Sequence, residues 1–182
     1  CVYEVVFSSR IEVLSRLIEM GRMKRGLVFA NTKRVVDDIV DGLLARGYAV
    51  DRLHGDMPQT LRERVMDSFR KGNLTVLVAT DIAARGLDID DVDTVVNFEL
   101  PRDPEDYVHR IGRTGRAEAQ GDAFTLLTAD EVDFAKSVEI FIKQSIERRK
   151  LDGFEYAYTA LLDSGARPIR KPRPAAPKRR RR

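Results

Sequence analysis

The sequence is poor in cysteine, tryptophan and histidine, and each shortage narrows what the chain can be. Cys1 is the single cysteine among 182 residues. No disulfide can therefore form within the chain, and a reducing cytosol is the expected setting, with a cytoplasmic location. The two histidines and one cysteine have no zinc-like spacing, so no metal site is expected. No apolar run approaches the roughly 20 residues of a membrane span, and the start shows no basic-then-apolar leader. Nor does any Gly-Lys-Ser/Thr occur, so nothing of that kind can cradle the β- and γ-phosphates of a nucleotide with a lysine. The chain opens on Cys1 rather than Met and runs straight into a strand-like segment, so a longer parent is expected.

What is present suits one globular domain with a sizeable core: 43% hydrophobic and 34% charged residues. The net charge of +3 hides an asymmetry. Residues 167–182 hold nine of the 32 basic residues and none of the 29 acidic ones, which leaves 23 basic against 29 acidic over residues 1–166, a net of −6. Four of the seven prolines also fall in 167–182. This tail reads as a disordered basic arm. Such an arm suits nonspecific nucleic-acid binding through phosphate neutralisation; a solubilising tail is the plainer alternative.

Strand-like and helix-like segments alternate along residues 1–150. Strands are predicted at Val2–Phe7, Gly26–Ala30, Tyr48–Leu53, Leu74–Ala79, Val92–Phe98 and Ala123–Thr128. Helices are predicted from Ser9 to Gly21, Lys33 to Arg46, Asp56 to Gly72, around Tyr107, and from Asp130 to Gln144. Ser9 with Glu12, Asp56 with Gln59 and Thr128 with Glu131 have capping-box spacing, and Asp103-Pro104 reads as a cap followed by a first-turn proline. The alternation implies βαβ units, a mainly parallel sheet sandwiched by helices, and an α/β fold. Ligands of such sheets gather at the carboxyl ends of the strands. Ala30-Asn-Thr32, His54-Gly-Asp56, Thr80-Asp81 and Phe98-Glu-Leu-Pro101 should therefore share one edge.

Within Tyr107–Arg116, Arg110, Arg113 and Arg116 are spaced by three, with Gly112 and Gly115 between them. Positions three apart on a helix share a face, so three guanidiniums could point one way. Phosphate is the natural receiver of such a cluster, and the glycines mark a close backbone approach or a helix end. In Ala79–Ile89, Asp81 or Asp88 could accept from ribose hydroxyls, or Thr80 and Asp81 could merely cap the next helix. In His54–Arg62, a helix start could hold a phosphate backbone or simply cap itself. Asp130-Glu-Val-Asp133 imitates a metal-binding acid pair, but the Thr128–Glu131 capping box explains it.

Four segments occur in order: Phe29-Ala-Asn-Thr32; His54-Gly-Asp56 with Gln59 and Arg62; Ala79-Thr-Asp-Ile-Ala-Ala-Arg-Gly-Leu-Asp88; and His109-Arg-Ile-Gly-Arg-Thr-Gly-Arg116. Together they make residues 1–150 resemble the second, C-terminal RecA-like domain of bacterial DEAD-box ATP-dependent RNA helicases. Residues 151–166 would form a C-terminal extension. The resemblance implies that Arg113 and Arg116 are arginine fingers for the γ-phosphate of ATP, with Mg2+ and the nucleotide held mainly by an N-terminal RecA-like partner domain. It implies ATP-binding and inter-motif roles for Gly86, Asp88, His109 and Arg110. Thr32, Gly55, Gln59, Arg62, Thr80 and Arg85 take the RNA-backbone and inter-motif positions. RNA and the N-terminal domain are the implied partners. Phe98-Glu-Leu-Pro101 departs from the commoner Tyr-Asp-Leu-Pro. A noncatalytic nucleic-acid-binding module on the same fold and a DNA-directed helicase are the competing readings.

Overall fold

Short apolar runs become the centre of a parallel sheet. The computed structural model describes residues 1–85, 89, 92–114 and 121–149. The expected extension at 151–166 and tail at 167–182 lie outside them. Strands β2 (Gly26–Phe29), β4 (Val76–Ala79) and β5 (Thr94–Asn97) are buried at every position, as strands covered on both faces must be. With β1 (Val2–Glu4), β3 (Val50–Leu53), β6 (Asp122–Leu127) and β7 (Arg148–Arg149) they form a seven-stranded sheet in the order β3-β4-β2-β5-β6-β1-β7. Every pairing among these strands is parallel, and the expected α/β, RecA-like architecture is what the chain adopts.

Alternation along the strands divides the core. Val28, Val78 and Val96 pack against α1 (Arg10–Glu19) and α2 (Lys33–Leu44) through Val13, Leu14, Leu17, Val36, Ile39, Val40 and Leu43. Their neighbours Leu27, Phe29, Leu77 and Val95 meet Val65, Met66 and Phe69 of α3 (Gln59–Arg70) and Ala83 of the short α4 (Asp81–Ala84). A third cluster joins Tyr107 of α5 (Pro104–Ile111) to Ala135 and Val138 of α6 (Val132–Ile142), over Val2 and Leu127. Each fully buried leucine or valine contributes roughly 1.5–3 kcal/mol relative to an exposed one. Helix ends follow the glycines: Gly47 after α2 and Gly72 after α3 hold φ of 82° and 76°, a region open to glycine at no steric cost.

Three local expectations fail. The first strand stops at Glu4, and Phe7–Ser9 forms a 3₁₀ turn that feeds α1. Ser9 is already helical, at φ −99° and ψ −1°, and makes no side-chain cap, so no capping box with Glu12 forms. Helix α3 starts at Gln59 with Pro58 as its cap position; Asp56 instead pairs with Lys33, and Gln59 donates to Glu63 at 2.9 Å. The charged strand β7 was not anticipated. By contrast, Asp103 accepts from the Glu105 amide at 2.9 Å ahead of Pro104, and Thr128 with Glu131 forms the expected capping box around a 3₁₀ turn, Ala129–Glu131.

Candidate functional site

The sheet register brings the strand ends level. Phe29 lies opposite Ala79 and Asn97, and Ala79 opposite Leu53. The segments after β2, β3, β4 and β5 therefore share one edge, as expected from a parallel sheet.

Arg110 ties that edge together. Its side chain is 1% exposed, and all five of its N–H donors are used. Nε and Nη2 hold the two oxygens of Asp81, each at 2.7 Å. Nη2 also reaches Asn31 Oδ1 at 2.9 Å, and Nη1 reaches Asn97 Oδ1 at 3.1 Å and the Glu99 carbonyl at 2.8 Å. The guanidinium also lies 5.1 Å from the centre of the Phe29 ring, a cation–π contact. One side chain from α5 thereby joins the ends of β2, β4 and β5. Asn31 adds a second tie, donating from its amide to Glu99 at 2.8 Å and from Nδ2 to the Leu100 carbonyl at 2.9 Å. Asn97 donates to Thr125 Oγ1 at 3.3 Å.

This corrects the expectation of a single arginine face turned to phosphate. Helix α5 ends at Ile111, and Gly112 caps it at φ −67°, ψ 1°; a Cβ there would sit 3.2 Å from the Val108 carbonyl. Arg110 turns inward to a carboxylate, whereas Arg113 lies beyond the helix. Arg113 lines a small cleft with Phe29, Asp81, Arg85, Asp106 and His109. His109 is exposed and Arg113 partly buried. Gly86, Asp88 and Arg116 lie outside the described residues.

Beside this cleft opens a wider groove, lined by Asn31, Lys33, His54, Gly55, Asp56, Thr80, Asp81, Ile82, Arg85 and Asp106. Gly55, Thr80 and Arg85 thus meet there. Thr80 precedes α4 without a side-chain cap, so capping does not explain its hydroxyl. Thr32 does cap α2, accepting from the Val35 amide at 3.3 Å. Arg62 donates to the Ala83 carbonyl at 3.1 Å and so braces α4 from α3, while Gln59 stands exposed at the start of α3. Lys33 pairs with Asp56 and Arg85 with Asp106. Lys33 holds the Asp56 carboxyl below its ordinary range, and Asp56 in turn raises the Lys33 ammonium.

Sequence reasoning placed Asn31 and Glu99 on this edge without giving them a role, and missed Asn97 and Asp106. Asn97 did carry a signal, a lone amide inside the apolar run Val95-Val-Asn-Phe98. Among the described residues no group of three or more His, Cys, Asp and Glu is placed to hold a metal, and no helix is long and apolar enough to cross a membrane.

Residues 9–118 match the family described as the helicase conserved C-terminal domain. The chain belongs to that family. The helicase domain is 45% identical over 147 residues to a DEAD-box ATP-dependent RNA helicase, CshA, from Geobacillus kaustophilus, covering 81% of this chain and 32% of that protein. It thus spans about a third of that relative's length. Among solved structures, the E. coli DEAD-box protein SrmB, bound to regulator of ribonuclease activity A, superposes with a TM-score of 0.83 at 33% identity, over 87% of this chain and 94% of that one. Dbp5 of S. cerevisiae, bound to RNA and ADP BeF3, gives 0.74 at 31% identity, over 82% of this chain and 40% of that one.

Proposed function

We propose that this helicase domain is the C-terminal half of an ATP-dependent RNA helicase and completes, in trans, an ATP site carried by an N-terminal RecA-like domain. The observation that carries the reading is the position of Arg113. It stands past the end of α5, at the strand-end edge, in a cleft that the paired Arg110 and Asp81 also line. The relative that is bound to RNA and ADP BeF3 supports the same pairing of ligands.

Closure of the two domains would bring Arg113, with Arg116, to the γ-phosphate. A finger of this kind contributes about 10³–10⁵ in rate by neutralising charge that develops in the transition state. Asp88 would accept from the ribose. His109 would lie between the nucleotide and the groove, and Arg110 would act through Asp81 as a positioning residue. Thr32, Gly55, Gln59, Arg62, Thr80 and Arg85 would hold the RNA backbone, which gives affinity without sequence preference. Bending of that strand on closure would cost it base pairs. Mg2+ would be held with the nucleotide mainly by the N-terminal domain, so none of these steps is assigned to a metal on this domain. The domain would act in the cytoplasm.

The test is steady-state ATP hydrolysis with and without RNA, comparing the 182-residue chain with the two-domain protein. Negligible turnover by the chain and RNA-stimulated turnover by the two-domain protein is the expected result. Robust hydrolysis by the chain alone would overturn the reading.

A further inference from the structure

The groove assigned to RNA is electrically unusual for a phosphate site. Its lining brings two cations, Lys33 and Arg85, together with three carboxylates, Asp56, Asp81 and Asp106. Asp81 is committed to the buried Arg110. The other two acids each hold one of the groove's cations. Lys33 and Asp56 come from different elements, the first turn of α2 and the turn after β3, and both side chains are 61% exposed. Neither Asp56 nor Lys33 is needed to fill the core. Asp56 does not cap α3 either, since Pro58 takes that position.

From this juxtaposition we propose that Lys33 is a further ligand for the single-stranded RNA backbone, and that Asp56 is its resident counter-ion, displaced when a phosphate enters the groove. The inference rests on the assignment of this groove to RNA. The chemistry is a simple exchange. In the free domain the ammonium faces a carboxylate. In the complex it faces a phosphodiester oxygen, and the carboxylate is released to water. Asp56 thus lowers affinity for RNA while keeping Lys33 ordered at the groove mouth. An exposed pair can be exchanged in this way because it is held weakly; the bidentate, buried Arg110–Asp81 pair cannot. Lys33 contacts the backbone and would not discriminate among bases.

The test is binding of a labelled oligouridylate and a labelled oligoadenylate to the 182-residue chain, measured by fluorescence anisotropy across a series of potassium chloride concentrations. Asp56→Asn is expected to bind both strands about two- to fivefold more tightly at low salt, the fold-change that an exposed ion pair commands. Lys33→Gln is expected to weaken both alike and to flatten the dependence of log K on log salt by about 0.7, the share of one single-strand phosphate. Both substitutions are exposed, and circular dichroism checks that the fold is kept. Arg85→Gln serves as the reference for the groove. If Arg85→Gln weakens binding while Asp56→Asn and Lys33→Gln leave it unchanged, the exchange is wrong and the groove assignment stands. If none of the three changes binding, the groove assignment falls and the exchange with it. Weaker binding by Asp56→Asn would show that the carboxylate serves RNA directly, and would also overturn the proposal.

Discussion

Arg110 and Arg113 sit three residues apart in one motif, yet the fold uses them in opposite ways. Arg110 is 1% exposed and spends every donor on Asp81, Asn31, Asn97 and the Glu99 carbonyl. Arg113 lies past the Gly112 cap and lines the cleft. The helix end between them makes the difference. A helix continued through Gly112 would have carried both side chains on one face; the break releases the second from the first. Identical side chains in a repeating pattern therefore divide into one that ties the strand ends together and one that is left facing the cleft.

The largest expected effect breaks this comparison at its buried end. Arg110→Ala leaves the Asp81 carboxylate and two amide oxygens without their partner, and should cost about 3–5 kcal/mol of stability. Arg113→Ala should change stability by no more than about 0.5 kcal/mol. Urea unfolding of the two variants side by side measures both, and equal losses would erase the distinction. Next, Arg110→Lys should recover little of the loss, because an ammonium cannot reproduce a bidentate fork with five fixed donors; near-wild-type stability would show that charge alone suffices. A smaller effect follows from Asn97→Leu, which keeps the branched shape and heavy-atom count but removes one acceptor from Arg110 and one donor from Thr125, at a cost of about 1–3 kcal/mol in the same assay. Smaller again, Asp103→Ala removes the α5 cap for about 1 kcal/mol.

The smallest effect belongs to the exposed groove pair. Lys33 depresses the folded pKa of Asp56, so its stabilisation is present above the ordinary carboxylate value. That stabilisation is lost as pH falls through the depressed one. Asp56→Asn should therefore differ from wild type slightly near neutral pH, and the difference should vanish both in strong acid and at high salt. Thermal melts over that pH range decide it; a difference that persists in acid would mean that Asp56 does something other than pair with Lys33.

The sequence made the sheet readable because burial on both faces writes itself as continuous apolar runs, such as Leu74–Ala79. It made the shared strand-end edge readable for the same reason, since parallel strands place all their exits on one side. Capping was readable only where the backbone cooperated. Thr128 has the extended conformation that a cap needs, at φ −95° and ψ 164°, whereas Ser9 is already helical and Asp56 is drawn away to Lys33. Strand β7 left no apolar signal because Arg148 and Arg149 lie at the sheet edge beside β1. The burial of Arg110 was invisible because it depends on acceptors 13, 29 and 79 residues away in sequence. No local pattern distinguishes a guanidinium that will meet a carboxylate in the fold from one that will line a cleft.

RNA-stimulated ATP turnover by the two-domain protein carrying Arg113→Ala, beside the wild type at saturating ATP and RNA, tests the central claim most directly. The account predicts a fall of about 10³-fold or more with the fold of this domain intact. Turnover close to wild type would contradict it.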